Sequence, residues 1–327
     1  VKRSTGSRSD RSALWYREWR VNRSLYVVAP FLMAAPWLLE FYTATHPWTR
    51  YTMMFIRGIM LRVTYPNEFR GWDYIIAGLL GVAVLWRDRS RLAALLDGPV
   101  PRRPALRIKT QFVLGSVFAG WLLELGVLLV MGIISGFHDW SAFSRYMALI
   151  GISQLVLASA ALTASVMAGN LLFALTGAAV IILGPLVIGS AVMAVGSIIG
   201  PGSVTMAGAS SLLDHVSPFA YGFSPTLALA YIPVYTAECV ALWGLAFRWW
   251  SSAPWEMFSE PLLFSGAWNV VYGILAALTG GTVTLFFRPA SSPQFGSIAV
   301  FALSAVVAWF VWRALFQRFR MGEVATR

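Results

Sequence analysis

Between Gln111 and Ile134 the chain carries a single charged side chain, Glu124. A helix over that run is about 36 Å long, and about 20 apolar residues suffice to cross the hydrocarbon core of a bilayer. Comparable runs recur at Ser24–Tyr42, Trp72–Trp86, Met147–Ala168, Leu171–Ile199, Thr226–Phe247, Ser265–Phe287 and Ser297–Leu315. Trp72–Trp86 is short unless Phe69 and its neighbours extend it. Leu171–Ile199 contains Pro185, and only Gly169-Asn170 separates it from the run before. Inside a bilayer every backbone polar group must be paired within the protein. The runs therefore predict an all-α, polytopic transmembrane helical bundle of about eight spans, with no soluble domain large enough to do chemistry by itself.

Charge supports the same reading. Only 12% of the 327 residues are charged, about half the share of a soluble domain. The 15 Trp and 11 Tyr suit the membrane–water boundary. The net charge of +11 gathers at the ends of apolar runs, which points to anionic lipid rather than nucleic acid. Residues 1–23 hold seven Lys and Arg and do not look like a cleaved signal, so the first run is read as a retained span.

Basic residues near span ends stay cytoplasmic. Residues 1–23, the segment 87–110 and the tail 316–327 are basic and are expected inside, which an even number of spans satisfies. The transmembrane domain then covers residues 24–315. The segment 43–71 is assigned outside although it holds Arg50, Arg57, Arg62 and Arg70. Met53, Ile56, Met60 and Val63 recur there at helical spacing, as in a helix lying in the outer interface; a topology with this segment inside stays open. Residues 200–225, with Gly200-Pro201-Gly202, Ser217-Pro218 and Ser224-Pro225, suit a partly re-entrant external cap.

The stretch Arg87–Thr110 joins two spans. Leu92, Leu95 and Leu96 make an apolar patch at helical spacing, Gly98, Pro99 and Pro101 stop the helix, and Arg102-Arg103 follow. A short apolar-faced helix outside the bilayer needs a protein surface to cover it. The pattern resembles the type-2 ATP-binding-cassette (ABC) transporter permeases. There the second span ends in an acidic–basic pair, here Asp88-Arg89. A leucine-rich coupling helix follows, then a turn matched by Pro99-Val100-Pro101-Arg102, then a lysine opening the third span, here Lys109. Arg17-Glu18-Trp19-Arg20 is similar to the amphipathic elbow before the first span, and Ser217-Pro218-Phe219 to a motif before the last. Asp88 stands where Glu is usual and Pro101 where Ser is usual. The span count is larger than in the commonest members and looks more like the paired Ytr-type permeases of Gram-positive bacteria.

The resemblance implies a permease subunit that moves a substrate, by export, across a bacterial plasma membrane. It implies ABC ATPase subunits as partners, docked on Asp88, Arg89, Leu92, Leu95, Leu96, Pro99, Arg102 and Arg103, and a second permease chain, the same or homologous. ATP and Mg belong to the ATPase: this chain has no Gly-x-x-x-x-Gly-Lys-Ser/Thr loop to cradle phosphates, and no cofactor of its own is expected. His-Glu-x-x-His and Gly-x-Ser-x-Gly are also absent, and no catalytic residue or enzyme activity is expected. Cys239 is the only cysteine, and His46, His138 and His215 are far apart, so the sequence offers no disulfide and no metal-ligand motif.

Glu124 and Glu238 lie within apolar runs. A charge at a helix centre costs about 2.5–3.5 kcal/mol on insertion scales, so each must face the bundle, find a partner or be neutralised. Both are candidates for substrate or ion contact; a structural hydrogen bond is the alternative. A membrane sensor or assembly scaffold without transport activity, and a membrane enzyme, are the other function classes left open.

Overall fold

The computed structural model describes residues 8–46, 52–64, 72–96, 102–168, 171–182, 228–252 and 302–314, together with isolated helical positions from 269 to 300; of residues 8–11, 62–64, 88–96, 102, 228–230 and 252 it describes the backbone alone. Every regular element among them is an α-helix. In chain order these are α1 (Arg8–Thr45), α2 (Thr52–Thr64), α3 (Trp72–Leu96), α4 (Arg102–Ile134), α5 (Trp140–Met167), α6 (Leu171–Ile182), α7 (Ala228–Ser252) and α8 (Ala302–Ala314). Three of them, Ser12–Thr45 of α1, Arg103–Ile134 of α4 and α5 itself, are long and apolar enough to cross a membrane. These helices support a membrane protein.

α5 is the central helix, buried almost continuously from Ile150 to Val166. A helix apolar all round belongs inside a bundle, and its Ala158, Ser159, Ala160, Ala161 and Ala164 let neighbours approach closely. α4 and α5 form an antiparallel hairpin. Gly136, at φ 63°, takes the left-handed turn after α4. Asp139 caps α5, its carboxylate accepting from the Ala142 backbone N–H at 3.1 Å. We call this the hairpin end of the bundle.

Contacts fix the directions of the other helices. α1 runs parallel to α4, since Glu18 meets Lys109, Tyr26 meets Ser116 and Met33 lies against Gly120. α3 runs parallel to α5, with Asp73 at Gln154 and Gly81 at Ala158. α7 also follows α5: Tyr231 and Tyr235 cluster with Leu149 and Val156, while Ala246 and Trp250 cluster with Leu162 and Val166. α6 returns antiparallel, its Ala174 and Ala178 against Ala161 and Ala164, and its Ile182 near Leu157. Thus α1, α4 and α6 point one way and α3, α5 and α7 the other. Arg17, Arg20, Arg23, Arg87, Arg103, Arg107, Lys109 and Arg248 therefore fall at the end opposite the hairpin, the basic end.

The elbow segment and the first run form one continuous helix, because α1 spans Arg8–Thr45. Its inward stripe reads Glu18, Asn22, Tyr26, Ala29, Met33 and Trp37, a spacing of three and four residues. Pro30 lies inside α1 and has no N–H to give the carbonyl of Tyr26; the Ser116 hydroxyl of α4 donates to that carbonyl at 2.9 Å. α3 is likewise unbroken from the apolar run into the leucine-rich segment. In α2, Ile56 and Met60 are buried against Trp37, Leu128 and Met131, whereas Met53 is 45% exposed, so the buried face excludes that residue. Residues 200–225 lie outside the described residues. Near the C-terminus, Tyr272 stacks edge-on with Trp309 of α8, and Trp312 donates to Thr279 at 3.1 Å.

Candidate functional site

Two buried polar centres stand out, one at the basic end and one deep in the bundle. At the basic end, Glu18, Asn22 and Tyr26 are one α-helical turn apart on α1, so their side chains line up on one face. Lys109 of α4 donates to Glu18 Oε2 at 2.7 Å. Glu18 Oε1 accepts from Asn22 Nδ2 at 2.8 Å and from the Tyr26 hydroxyl. Glu18 and Lys109 are 4% and 1% exposed. A buried charge is tolerated only when paired and hydrogen-bonded, and here both conditions hold. Beside this centre Arg87 of α3 donates to Ser24 of α1 at 3.1 Å. The lysine expected at the head of the third span and the acidic residue of the elbow motif are thus brought into one ion pair.

The second centre lies about 22 Å along α4 from Lys109, judged from 1.5 Å per residue. Gln154 of α5 donates through Nε2 to Asp73 Oδ2 of α3 and to Glu124 Oε2 of α4, both at 2.9 Å. All three side chains are buried. Glu124 Oε1 and Gln154 Oε1 have no hydrogen-bond partner among the described residues. Tyr74, the neighbour of Asp73 on α3, is buried and lies within electrostatic reach of both acids. No Lys or Arg ion pair is described for either acid.

Glycine makes this convergence possible at two points. A Cβ on Gly81 would stand 2.7 Å from the Ala158 carbonyl oxygen, and one on Gly151 would stand 2.8 Å from the Trp121 indole nitrogen. The first draws α3 onto α5, so that Asp73 reaches Gln154. The second admits the Trp121 ring, which donates to the Met147 carbonyl at 2.8 Å and holds α4 close enough for Glu124.

No family model, curated protein or solved structure matches this chain. The site therefore stands on its own geometry.

Of the residues singled out from sequence, Glu124 is in the second centre. Glu238 is on α7, half-buried, with Oε2 lacking a hydrogen-bond partner among the described residues, and no hydrogen bond joins it to the Asp73–Gln154–Glu124 cluster. Asp88, Arg89, Leu92, Leu95 and Leu96 are on the last turns of α3 and Arg102 opens α4, but their side chains lie outside the described residues, as does all of Pro99. Arg103 is exposed on the first turn of α4. Sequence reasoning missed Asp73 and Gln154. Asp73 sits at the edge of an apolar run, where an acid is unremarkable; Gln154 is uncharged, yet an amide inside an otherwise apolar span was a usable signal.

Among the described residues, no group of three or more His, Cys, Asp or Glu is placed to hold a metal ion. What the second centre can do is accept positive charge. Two acidic groups share the Gln154 amide, Asp73 takes further bonds from backbone N–H groups, and Glu124 Oε1 and Gln154 Oε1 have no partner among the described residues. A cationic group, a small cation or a proton would each complete it.

Proposed function

We propose that this chain is the membrane-spanning permease subunit of an ABC transporter, moving a substrate outward across a bacterial plasma membrane under the power of separate ATPase subunits. In this reading the chain is multi-pass, with about eight spans and both termini on the cytoplasmic side. The excess of Arg and Lys at the basic end over the hairpin end, where Arg57 and Arg145 lie, supports that orientation.

The observation that carries the proposal is the continuity of α3 from Asp73 to Leu96. One helix joins a buried, incompletely balanced carboxylate to a leucine-rich end. That end extends about 13 Å past Arg87 at 1.5 Å per residue. Partner ATPases closing on ATP would push on the Leu92–Leu96 end. A helix transmits such a displacement along its length, because its backbone hydrogen bonds resist local bending. The push would reach Asp73 and change its distance from Gln154 and Glu124. That cluster is the candidate contact for substrate or a coupled ion, with Glu238 as a separate candidate on α7. The Glu18–Lys109 pair, in turn, locks α1 to α4 so that the movement is taken up elsewhere in the bundle.

The test is co-purification from native membranes. Wild-type chain should retain an ATPase subunit. Changing Leu95→Asp and Leu96→Asp together should release it while the permease still inserts, since burying one leucine is worth about 1.5–3 kcal/mol. An ATPase still bound at normal stoichiometry would remove the coupling role.

A further inference from the structure

At the basic end a half-open groove of about 330 Å³ lies between α1, α4 and α7. Arg103, Arg107 and Gln111 of α4 line one side, and Trp15, Ile108 and Phe247 supply apolar walls. Residues 103, 107 and 111 are successive turns of one helix face. Both guanidiniums are exposed, and no acidic partner is described for either. The neighbouring Lys109 differs, since Glu18 neutralises it. The groove thus holds two positive charges, an amide and an aromatic wall. Its level follows from the residue order: the apolar run of α4 begins at Gln111, so Arg107 and Arg103 stand about 6 and 12 Å beyond it at 1.5 Å per residue, where lipid headgroups would lie.

We propose that this groove binds the phosphodiester headgroup of an anionic lipid. Arg103 and Arg107 take the phosphate oxygens, because guanidinium forks match them in geometry and charge. Gln111, one turn deeper, reaches the ester carbonyls of the lipid's glycerol backbone, and Trp15 and Phe247 flank the first acyl carbons, as aromatic rings do at the interface. The inference needs only a bilayer at this level, and it gives to lipid Arg103, which the family resemblance assigns to the ATPase contact.

Native mass spectrometry of the purified full-length chain, equilibrated with equimolar phosphatidylglycerol and phosphatidylcholine, tests it. Each basic residue near an anionic lipid contributes a factor of about five. The wild type should therefore prefer phosphatidylglycerol by about 25-fold, and the pair Arg103→Gln with Arg107→Gln should bring retention to parity. Arg20→Gln with Arg23→Gln, at the same end but outside the groove, should keep the preference. Should the groove pair fail to fold, the exposed Gln111→Glu alone should lower phosphatidylglycerol retention. Equal loss in both arginine pairs would mean diffuse charge rather than a site and would overturn the proposal. So would unchanged retention in the groove variants. Displacement of the lipid by inorganic phosphate at equal concentration would make it a soluble-anion site and would overturn the lipid assignment.

Discussion

Glu18 and Glu124 are both carboxylates buried in helices long enough to cross a membrane, and their surroundings differ in charge balance. Glu18 faces a lysine and two further donors, all at hydrogen-bonding distance. Glu124 faces one amide nitrogen that Asp73 also uses, and one of its oxygens has no partner among the described residues. The first centre is closed in charge, because Lys109 balances Glu18, although Asn22 Oδ1 has no partner among the described residues. The second is open, because two acids share one side-chain amide, the further donors to Asp73 are backbone N–H groups, and positive charge is left to come from elsewhere. Buried polar groups that are fully satisfied rigidify a core. Those left short of partners, inside a span, mark places where binding or proton movement changes the energy. On this comparison the Glu18 centre is a joint and the Glu124 centre is the candidate working site.

Breaking the joint should produce the largest effect. Replacing Lys109 with Met strands a buried carboxylate, and removal of one partner from a buried pair destabilises by about 3–5 kcal/mol. A fall in thermal unfolding temperature and in yield of monodisperse protein would show it. Combining Lys109→Met with Glu18→Gln should recover much of the loss, because no charge is then left unpaired. If Lys109→Met unfolds at the wild-type temperature, the pair is not the joint described here.

A smaller loss is expected for Tyr26→Phe. It removes one hydrogen bond to a charged group, worth about 1.5–3 kcal/mol, but leaves Lys109 and Asn22 on Glu18. Its unfolding temperature should lie between those of the wild type and Lys109→Met.

The smallest stability change is expected at the open centre. Glu124→Gln keeps the shape, still accepts from Gln154, and adds a donor that can serve the free Gln154 oxygen. Stability should stay within about 1 kcal/mol of wild type, or rise, since replacing a buried charge with a neutral group removes a desolvation cost. If the proposed transport function holds, substrate-stimulated ATPase activity of the complex should fall nonetheless. A Glu124→Gln variant that loses stability like Lys109→Met, or keeps full activity, would erase the distinction between the two centres.

Much of the bundle was legible in the residue order. The runs at Gln111–Ile134 and Met147–Ala168 correspond to α4 and α5, because an uninterrupted apolar stretch of that length has no stable form in a bilayer except a helix. α2 was legible too, although its buried face runs through Ile56 and Met60 without Met53. Element boundaries were harder to read. The apolar stop at Trp86 and the basic start at Ser24 mark where the solvent is expected to change, not where a helix ends, so α1 and α3 run on past both. Glu124 was legible as an isolated charge in an apolar run.

Its partners were not. A hydrogen bond between Gln154 and Asp73 joins residues 81 apart in sequence, and Lys109 meets Glu18 across 91. Periodicity along one helix says which face turns inward, but not which residue of another helix stands opposite. That depends on how closely two backbones approach, and the approach is set by Gly81 against Ala158 and Gly151 against Trp121. By itself the sequence determined that the chain is helical, apolar and basic at its run ends, since those properties follow from local composition and spacing. Only the tertiary structure decided which of its buried acids is neutralised and which is left open, because charge balance in a low-dielectric interior is settled by neighbours a few ångströms away in space, wherever they lie in the chain.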